Sequence, residues 1–432
     1  MEMGGRPPPD TDRRKNRVTG PAGWHDNQLN IPLSTGTGIK ALSWSALASL
    51  LAGLGALGFL TVGRFSVGLA GFAPMAHIWT VWSVSAATVG FGAQIETVDR
   101  LSQGRGPFSV RHVRLALVGI GVAFVATFVW RLPLFGSTSL FWPVVSGLIP
   151  VGSLLTGVAR GTLAAMDERR RLAFVIAGEN VVRFGLAILL AWTAASPQLL
   201  ALALLAGFAV ALIGLSSVRI ERRADVGRQL SSGAAGALAG LVAHASLVLP
   251  PSVLALRGED AAVVAGVFLV LTYLRAPYQF LLGLGPVLTA HTFAKSQGVV
   301  GAWLADGRRI AVVSVAGMLA AAAFGLLGGN LISEVMLGRT DIIQPIDYAI
   351  LCALVVVVGS SILRTLSVLS DGRRGLVVRS WGTAAVAAIA AAFMPGGPTL
   401  LFGGLFIGVI GCLVQLTIGS SSVAGSSPRG ND

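Results

Sequence analysis

The sequence predicts an all-α polytopic membrane protein: about twelve transmembrane helices in two pseudo-symmetric six-helix lobes around a central cavity. Three observations carry this prediction. Of the 432 residues, 54% are hydrophobic and only 12% are charged, the balance of a chain dissolved mainly in lipid. Twelve apolar runs are long enough to cross a bilayer. Finally, Arg160, Asp167, Arg169 and Arg170 recur as Arg364, Asp371, Arg373 and Arg374, all four displaced by 204 residues, nearly half the chain. Each set sits where a long apolar run meets a short basic loop. A repeated half is a common plan of secondary transporters.

The runs lie at 39–62, 74–95, 113–130, 140–160, 172–193, 198–218, 234–256, 262–291, 309–328, 344–367, 376–394 and 399–418. Abundant glycine, 56 residues, lets helix backbones approach closely. Residues 1–38 are expected to be a disordered basic cytoplasmic arm, with Pro7, Pro8 and Pro9 ahead of Arg13, Arg14 and Lys15. No apolar core follows those charges, so the arm is not expected to act as a signal peptide. Residues 39–218 form the N-terminal lobe and 234–418 the C-terminal lobe. Between them, 219–233 is a charged cytoplasmic linker, and 419–432 is a Ser/Gly-rich disordered tail.

The net charge is +13, which could suggest nucleic acid, but the positions of the basic residues argue for a membrane. Counted over alternate loops, 26 of the 32 Lys and Arg fall on one side and 4 on the other. The positive-inside rule then places both termini in the cytoplasm, in a multi-pass protein of the cytoplasmic membrane. Its expected surroundings are membrane lipids, with no nucleic-acid partner.

Enzymatic chemistry is not expected. Lys15, Lys40 and Lys295 are outside any Walker A setting, so direct ATP-driven pumping is not expected. The first outer loop, Gly63 to Ala73, has no acid for metal binding or base catalysis. The five histidines lack metal-ligand spacing, and Cys352 and Cys412 sit inside apolar runs. No cofactor and no metal are implied.

Function must then reside among the helices. Ionisable groups inside spans cost free energy and tend to face an interior or a wet cavity. Glu179 and Arg183 are four apart on one helix face, as either a coupling site or a structural pair. Arg275 lies 14 residues into the eighth run, about 21 Å along a helix and near the midplane. Leu271 and Gln279 occupy the positions four residues away, so no acid pairs with it along the helix. Pro277 and Pro286 follow, freeing backbone carbonyls. An arginine without a carboxylate beside a broken helix suits an anionic ligand. Arg64 ends the first run on the outer side. His244 is expected to be a packed histidine. Trp142 and Trp381, with the other tryptophans near run ends, are expected in the interfacial belts.

The opening of the chain resembles a known family. Phe59-Leu60-Thr61-Val62-Gly63-Arg64 leads into a short turn, and Gly90-Phe91-Gly92-Ala93-Gln94 precedes Arg100. This is similar to the polysaccharide (O-antigen type) flippases of the multidrug/oligosaccharidyl-lipid/polysaccharide exporter superfamily. Arg160-Gly161-Thr162-Leu163-Ala164-Ala165-Met166, with Glu179 and Arg183 downstream, resembles their Arg-Gly-x-Leu-x-Gly stretch, departing at Ala165. The resemblance implies two six-helix lobes that flip a polyprenyl-pyrophosphate-linked oligosaccharide by alternating access. It also implies coupling to an ion gradient or the membrane potential, and glycosyltransferases or a polymerase as partners. Arg275, Arg64 and Arg183 would neutralise the pyrophosphate. The alternatives are a multidrug/cation antiporter, which favours acidic cavity residues, a lipid II flippase, or a non-transporting scaffold of a glycan-synthesis complex.

Overall fold

The computed structural model describes residues 35–135, 137–193, 196–216, 232–250, 253–254, 257, 267, 270–272, 274–293, 306–337 and 343–421. Residues 1–34 of the basic arm, the linker but for Ser232 and Gly233, and most of the tail lie outside them, while residues 35–38, expected as part of the disordered arm, open the first helix. Every regular element described is a helix. In chain order these are α1 (Thr35–Ser85), a π-helical turn (Ala86–Gly90), α2 (Phe91–Ser102), α3 (Val110–Val129), α4 (Arg131–Phe135), α5 (Phe141–Ala165), α6 (Arg169–Thr193), α7 (Pro197–Ala206) and α8 (Ala209–Leu215). The second half contains α9 (Ser232–Val248), α10 (Ala276–Phe293), α11 (Gly307–Leu337), α12 (Pro345–Ser370), α13 (Arg374–Phe393) and α14 (Pro398–Ser421).

Among the described residues, nine helices are long and apolar enough to cross a membrane. Three more segments complete the expected twelve. They are the second limb of α1 running into α2, the 17-residue α9, and α10 with the helical residues before it. The protein is therefore a multi-pass membrane protein.

The first two spans depart from expectation in their connection. The 51 residues of α1 would make a rod of roughly 76 Å, over twice the apolar thickness of a bilayer. The chain instead doubles back. Phe59 stacks on Trp79, with ring centroids 5.5 Å apart. Gly58 abuts Phe184, while Trp82 lies against Arg183, so both limbs reach the same part of α6. The expected outer loop is wound as helix through this reversal.

The sixth span also differs. It breaks at Gly207 between α7 and α8, where Arg183 Nε takes the Leu204 carbonyl, Phe208 N turns to Leu205 O, and no side chain would fit at Gly207.

The two matched regions both end a helix in the same kind of turn, but one residue out of register with the sequence match. After α5, Asp167 takes a positive φ of 58°, and Glu168 N donates to Leu163 O. After α12, Gly372 takes a φ of 76°, and Arg373 N donates to Val368 O. Both are Schellman ends, which need a left-handed residue just past the cap. Arg169 and Arg374 each begin the next helix, 205 residues apart. Arg160 and Arg364 therefore sit one position out of register, about 100° around the helix. The Arg/Asp pattern is not what the two halves share; the turn is.

Trp142 and Trp381 are core residues, not belt residues. Both are buried, and Trp381 Nε1 donates to Thr365 Oγ1 at 2.8 Å, so its polar end is satisfied inside. Trp130 and Trp192 are exposed, as a belt requires.

Glycine contacts set the helix spacing. A Cβ on Gly157 of α5 would run into the Gly90 carbonyl, and one on Gly121 of α3 would meet nothing within 4 Å. Overpacking of this kind costs about 1–3 kcal/mol. Gly157→Ala should lower the melting temperature of the detergent-solubilised protein by several degrees, and Gly121→Ala should not. Equal effects of the two substitutions would contradict the close helix contact.

Candidate functional site

A cavity of about 290 Å³ lies at the level of the span midpoints. The first half supplies most of its wall, from both limbs of α1, α2, α5 and α6. The second half supplies the stretch Thr272–Gly283 around the start of α10. Most of the wall is small or aliphatic, with Trp79 and Trp82 in ring contact at 4.5 Å on one side.

The charged part of the wall is built around Glu179. Its Oε2 accepts a hydrogen bond from Arg160 Nη2 at 2.9 Å. Its Oε1 lies 2.6 Å from Arg183 Nη2, an ion pair by distance though not aligned as a hydrogen bond. Arg160 reaches across from α5, and Arg183 stands one turn along α6. An ionised carboxylate in an apolar bundle needs such partners.

Arg183 is wholly buried. Its Nε donates to Leu204 O at 2.8 Å and its Nη1 to Asn180 Oδ1 at 3.2 Å. The guanidinium lies between the rings of Trp82 and Phe208, 4.7 and 4.9 Å from their centroids. Its donors are committed to the protein and it does not reach the cavity surface. The geometry places it behind the wall, where it anchors Glu179.

Arg275 does reach the cavity, beside Gln279 one turn further along. It is buried, 7% exposed, and backbone hydrogen bonds to Leu271 and from Gln279 run through it. Among the described residues no carboxylate lies within ion-pair distance of its side chain. The wall thus presents Arg160 and Arg275 against one carboxylate, with Arg183 behind that carboxylate. Arg64 lies in the helical reversal of α1, and its side chain is outside the described residues. His244 is buried against Tyr278, ring centroids 5.9 Å apart, away from the cavity surface.

Sequence reasoning missed Arg160 as a partner of Glu179. The two are 19 residues apart on different helices, and no local spacing reports that contact. The one available signal was the short α5–α6 turn, which forces the helices to pack side by side. Among the described residues there is no group of three His, Cys, Asp or Glu that could hold a metal ion.

No protein-family model matches the chain, and no curated protein sequence does. Solved structures do. An outward-facing MATE family multidrug resistance transporter of the MOP superfamily matches over 90% of this chain and 96% of its own, with TM-score 0.63 and 14% identity. A variant of the Vibrio cholerae MATE transporter VcmN matches over 91% and 98%, with TM-score 0.65 and 15% identity. A eukaryotic MATE transporter matches over 91% and 96%, with TM-score 0.55 and 14% identity. The chain has the MATE fold. These neighbours are transporters and not enzymes. At such identity the likeness establishes architecture and leaves the substrate to the residues of the cavity.

Removing the Glu179 carboxylate should strand two arginines. Glu179→Ala is expected to cost roughly 3–5 kcal/mol and to lower the yield of folded protein. Arg309→Ala, which breaks the exposed pair with Asp306, should cost under about 1 kcal/mol. Thermal melts of the two variants in detergent check the contrast. A Glu179→Ala protein as stable as the wild type would show that the carboxylate does not hold the wall.

Proposed function

We propose that the protein is a secondary transporter of the multidrug-exporter type, working by alternating access on a drug-sized amphipathic molecule that carries negative charge. The observation that carries the reading is Arg275, a buried cavity arginine with no carboxylate partner among the described residues. A buried charge without a partner is costly, and an anionic ligand offsets that cost when it binds. The largely apolar wall, with Trp79 and Trp82, suits an apolar body, and a volume of about 290 Å³ suits a compact organic molecule. Transport would be coupled to an ion gradient or the membrane potential.

The printed names of the structural neighbours favour multidrug export over the flipping of a lipid-linked glycan. The charge of the cavity separates this chain from an exporter of cations, which calls for acidic residues. Flipping of a polyprenyl-pyrophosphate-linked oligosaccharide is the second reading. Arg160 and Arg275 suit a pyrophosphate by charge and by forked geometry. Against it, the cavity as it stands is small for a head group of several sugars.

Reconstitution into proteoliposomes tests the proposal, with a sulfonated dye, a quaternary ammonium dye and a defined lipid-linked oligosaccharide as separate substrates. The sulfonated dye should be moved and the cation should not. Arg275→Ala should raise the KM for the anion by at least about tenfold, the value of a charged hydrogen bond, while the protein stays folded. Arg275→Lys should keep part of the activity, since the charge survives without the fork. Transport of the cation alone would overturn the proposal, and movement of the oligosaccharide alone would establish the second reading.

A further inference from the structure

The inner end of α2 carries acids that the cavity does not use. Gln94 is the last residue of α2 in the cavity wall, and its Nε2 donates to Thr289 Oγ1 of α10 at 3.2 Å. One turn below, towards the arginine-rich side, the contacts become ionic. Glu96 Oε2 accepts from the backbone N of Gly233 at 3.1 Å. Asp99 Oδ2 accepts from Ser232 Oγ at 2.6 Å and from Arg374 Nη2 at 3.1 Å. Ser232 and Gly233 begin α9, and Arg374 begins α13. Two carboxylates of the first half therefore hold the N-termini of two helices of the second half. A helix N-terminus presents free N–H groups and partial positive charge, so each contact is electrostatically favourable.

The backbones beneath are packed to match. A Cβ on Gly92 would lie 2.7 Å from the Gly233 carbonyl oxygen, and one on Gly236 would lie 2.5 Å from Ile95 Cδ1. Gly240 of α9 is packed as closely against the Ala87 carbonyl. Gly92, Glu96 and Asp99 follow one another at helical spacing on the face of α2 turned to α9. Arg111, of the same half as Glu96, takes the other oxygen of that carboxylate at 3.2 Å and orients it.

We propose that Glu96 and Asp99 form a latch that closes the transporter on its arginine-rich side, below the cavity. Resting on the alternating-access reading above, this names the contacts that must break for the cavity to open towards that side. Gly233, Ser232 and Arg374 are the receiving half of the latch. While it is engaged, the two halves cannot separate at this end without breaking the contacts of Glu96 with Gly233 and of Asp99 with Ser232 and Arg374.

The test uses an engineered thiol in the cavity, Ala56→Cys, in a full-length protein with Cys352→Ala and Cys412→Ala. Oriented proteoliposomes are treated with an impermeant maleimide from one face at a time. With the latch intact, labelling from the arginine-rich face should be slow. The pair Glu96→Gln and Asp99→Asn keeps the shapes and removes the charges. It should raise that rate roughly tenfold or more and lower the rate from the opposite face, as a population shift requires. Unchanged rates from both faces would overturn the proposal. So would a rise from both faces together, which is the mark of a loosened bundle. Labelling involves no substrate, so its outcome is independent of which dye is transported. A reciprocal shift together with transport of the cation alone would sink the substrate reading and leave the latch.

Discussion

Glu179 between Arg160 and Arg183 is the interaction on which the cavity depends. It joins α5 to α6 inside the membrane, where charge is costly and directional. Arg183 carries the constraint outward to the Leu204 carbonyl and to the rings of Trp82 and Phe208. The Leu204 carbonyl taken by Arg183 lies at the break of the sixth span, and no side chain fits at Gly207 beside Arg183. They also fix the second limb of α1 through Trp82. Arg160 remains at the cavity surface as part of the wall. The second half has no counterpart of this cluster: counted from the shared inner turn, the equivalents of Glu179 and Arg183 are Ala384 and Ala388. The two halves share a fold but not a charge distribution.

That asymmetry gives the cavity its character. The first half supplies a neutralised carboxylate and an aromatic face. The second half supplies one cation to the wall, Arg275, immediately before α10. A ligand bridging them would place its negative group at Arg275 and its apolar body against Trp79 and Trp82. Binding would then draw the halves together at mid-depth, above the ionic contacts of α2 with α9 and α13. Substrate and closure would act on the same interface at two levels.

Much of this was legible in the sequence. Spans of near-continuous apolar residues gave helix positions to within a few residues, as at α5 and α13. The four-residue spacing of Glu179 and Arg183 announced their pairing, because a helix brings such positions together. The missing acid around Arg275 was visible by the same rule. What was not legible lay between segments. Arg160 meets Glu179 across a helix pair, and Asp99 meets Arg374 over 275 residues of chain, where no periodicity reports contact. The first outer connection looked like a loop because Gly63 to Ala73 is small and glycine-containing, yet helical winding persists through it. The 204-residue match misplaced the halves by one, because conspicuous arginines drew the alignment and the turn glycine did not. Trp142 and Trp381 lie near helix ends in sequence but face neighbouring helices, which a linear reading cannot separate from facing lipid.

The central claim is that the cavity selects negative charge. Its most direct measurement is the equilibrium binding of a matched pair of amphipaths, identical in their apolar body and ending in a sulfonate or a quaternary ammonium, to purified protein and to Arg275→Ala. The sulfonate should bind the wild type more tightly by tenfold or more, a difference of about 1.4 kcal/mol, and Arg275→Ala should erase that preference. Tighter binding of the ammonium compound, or a preference untouched by Arg275→Ala, would contradict the account.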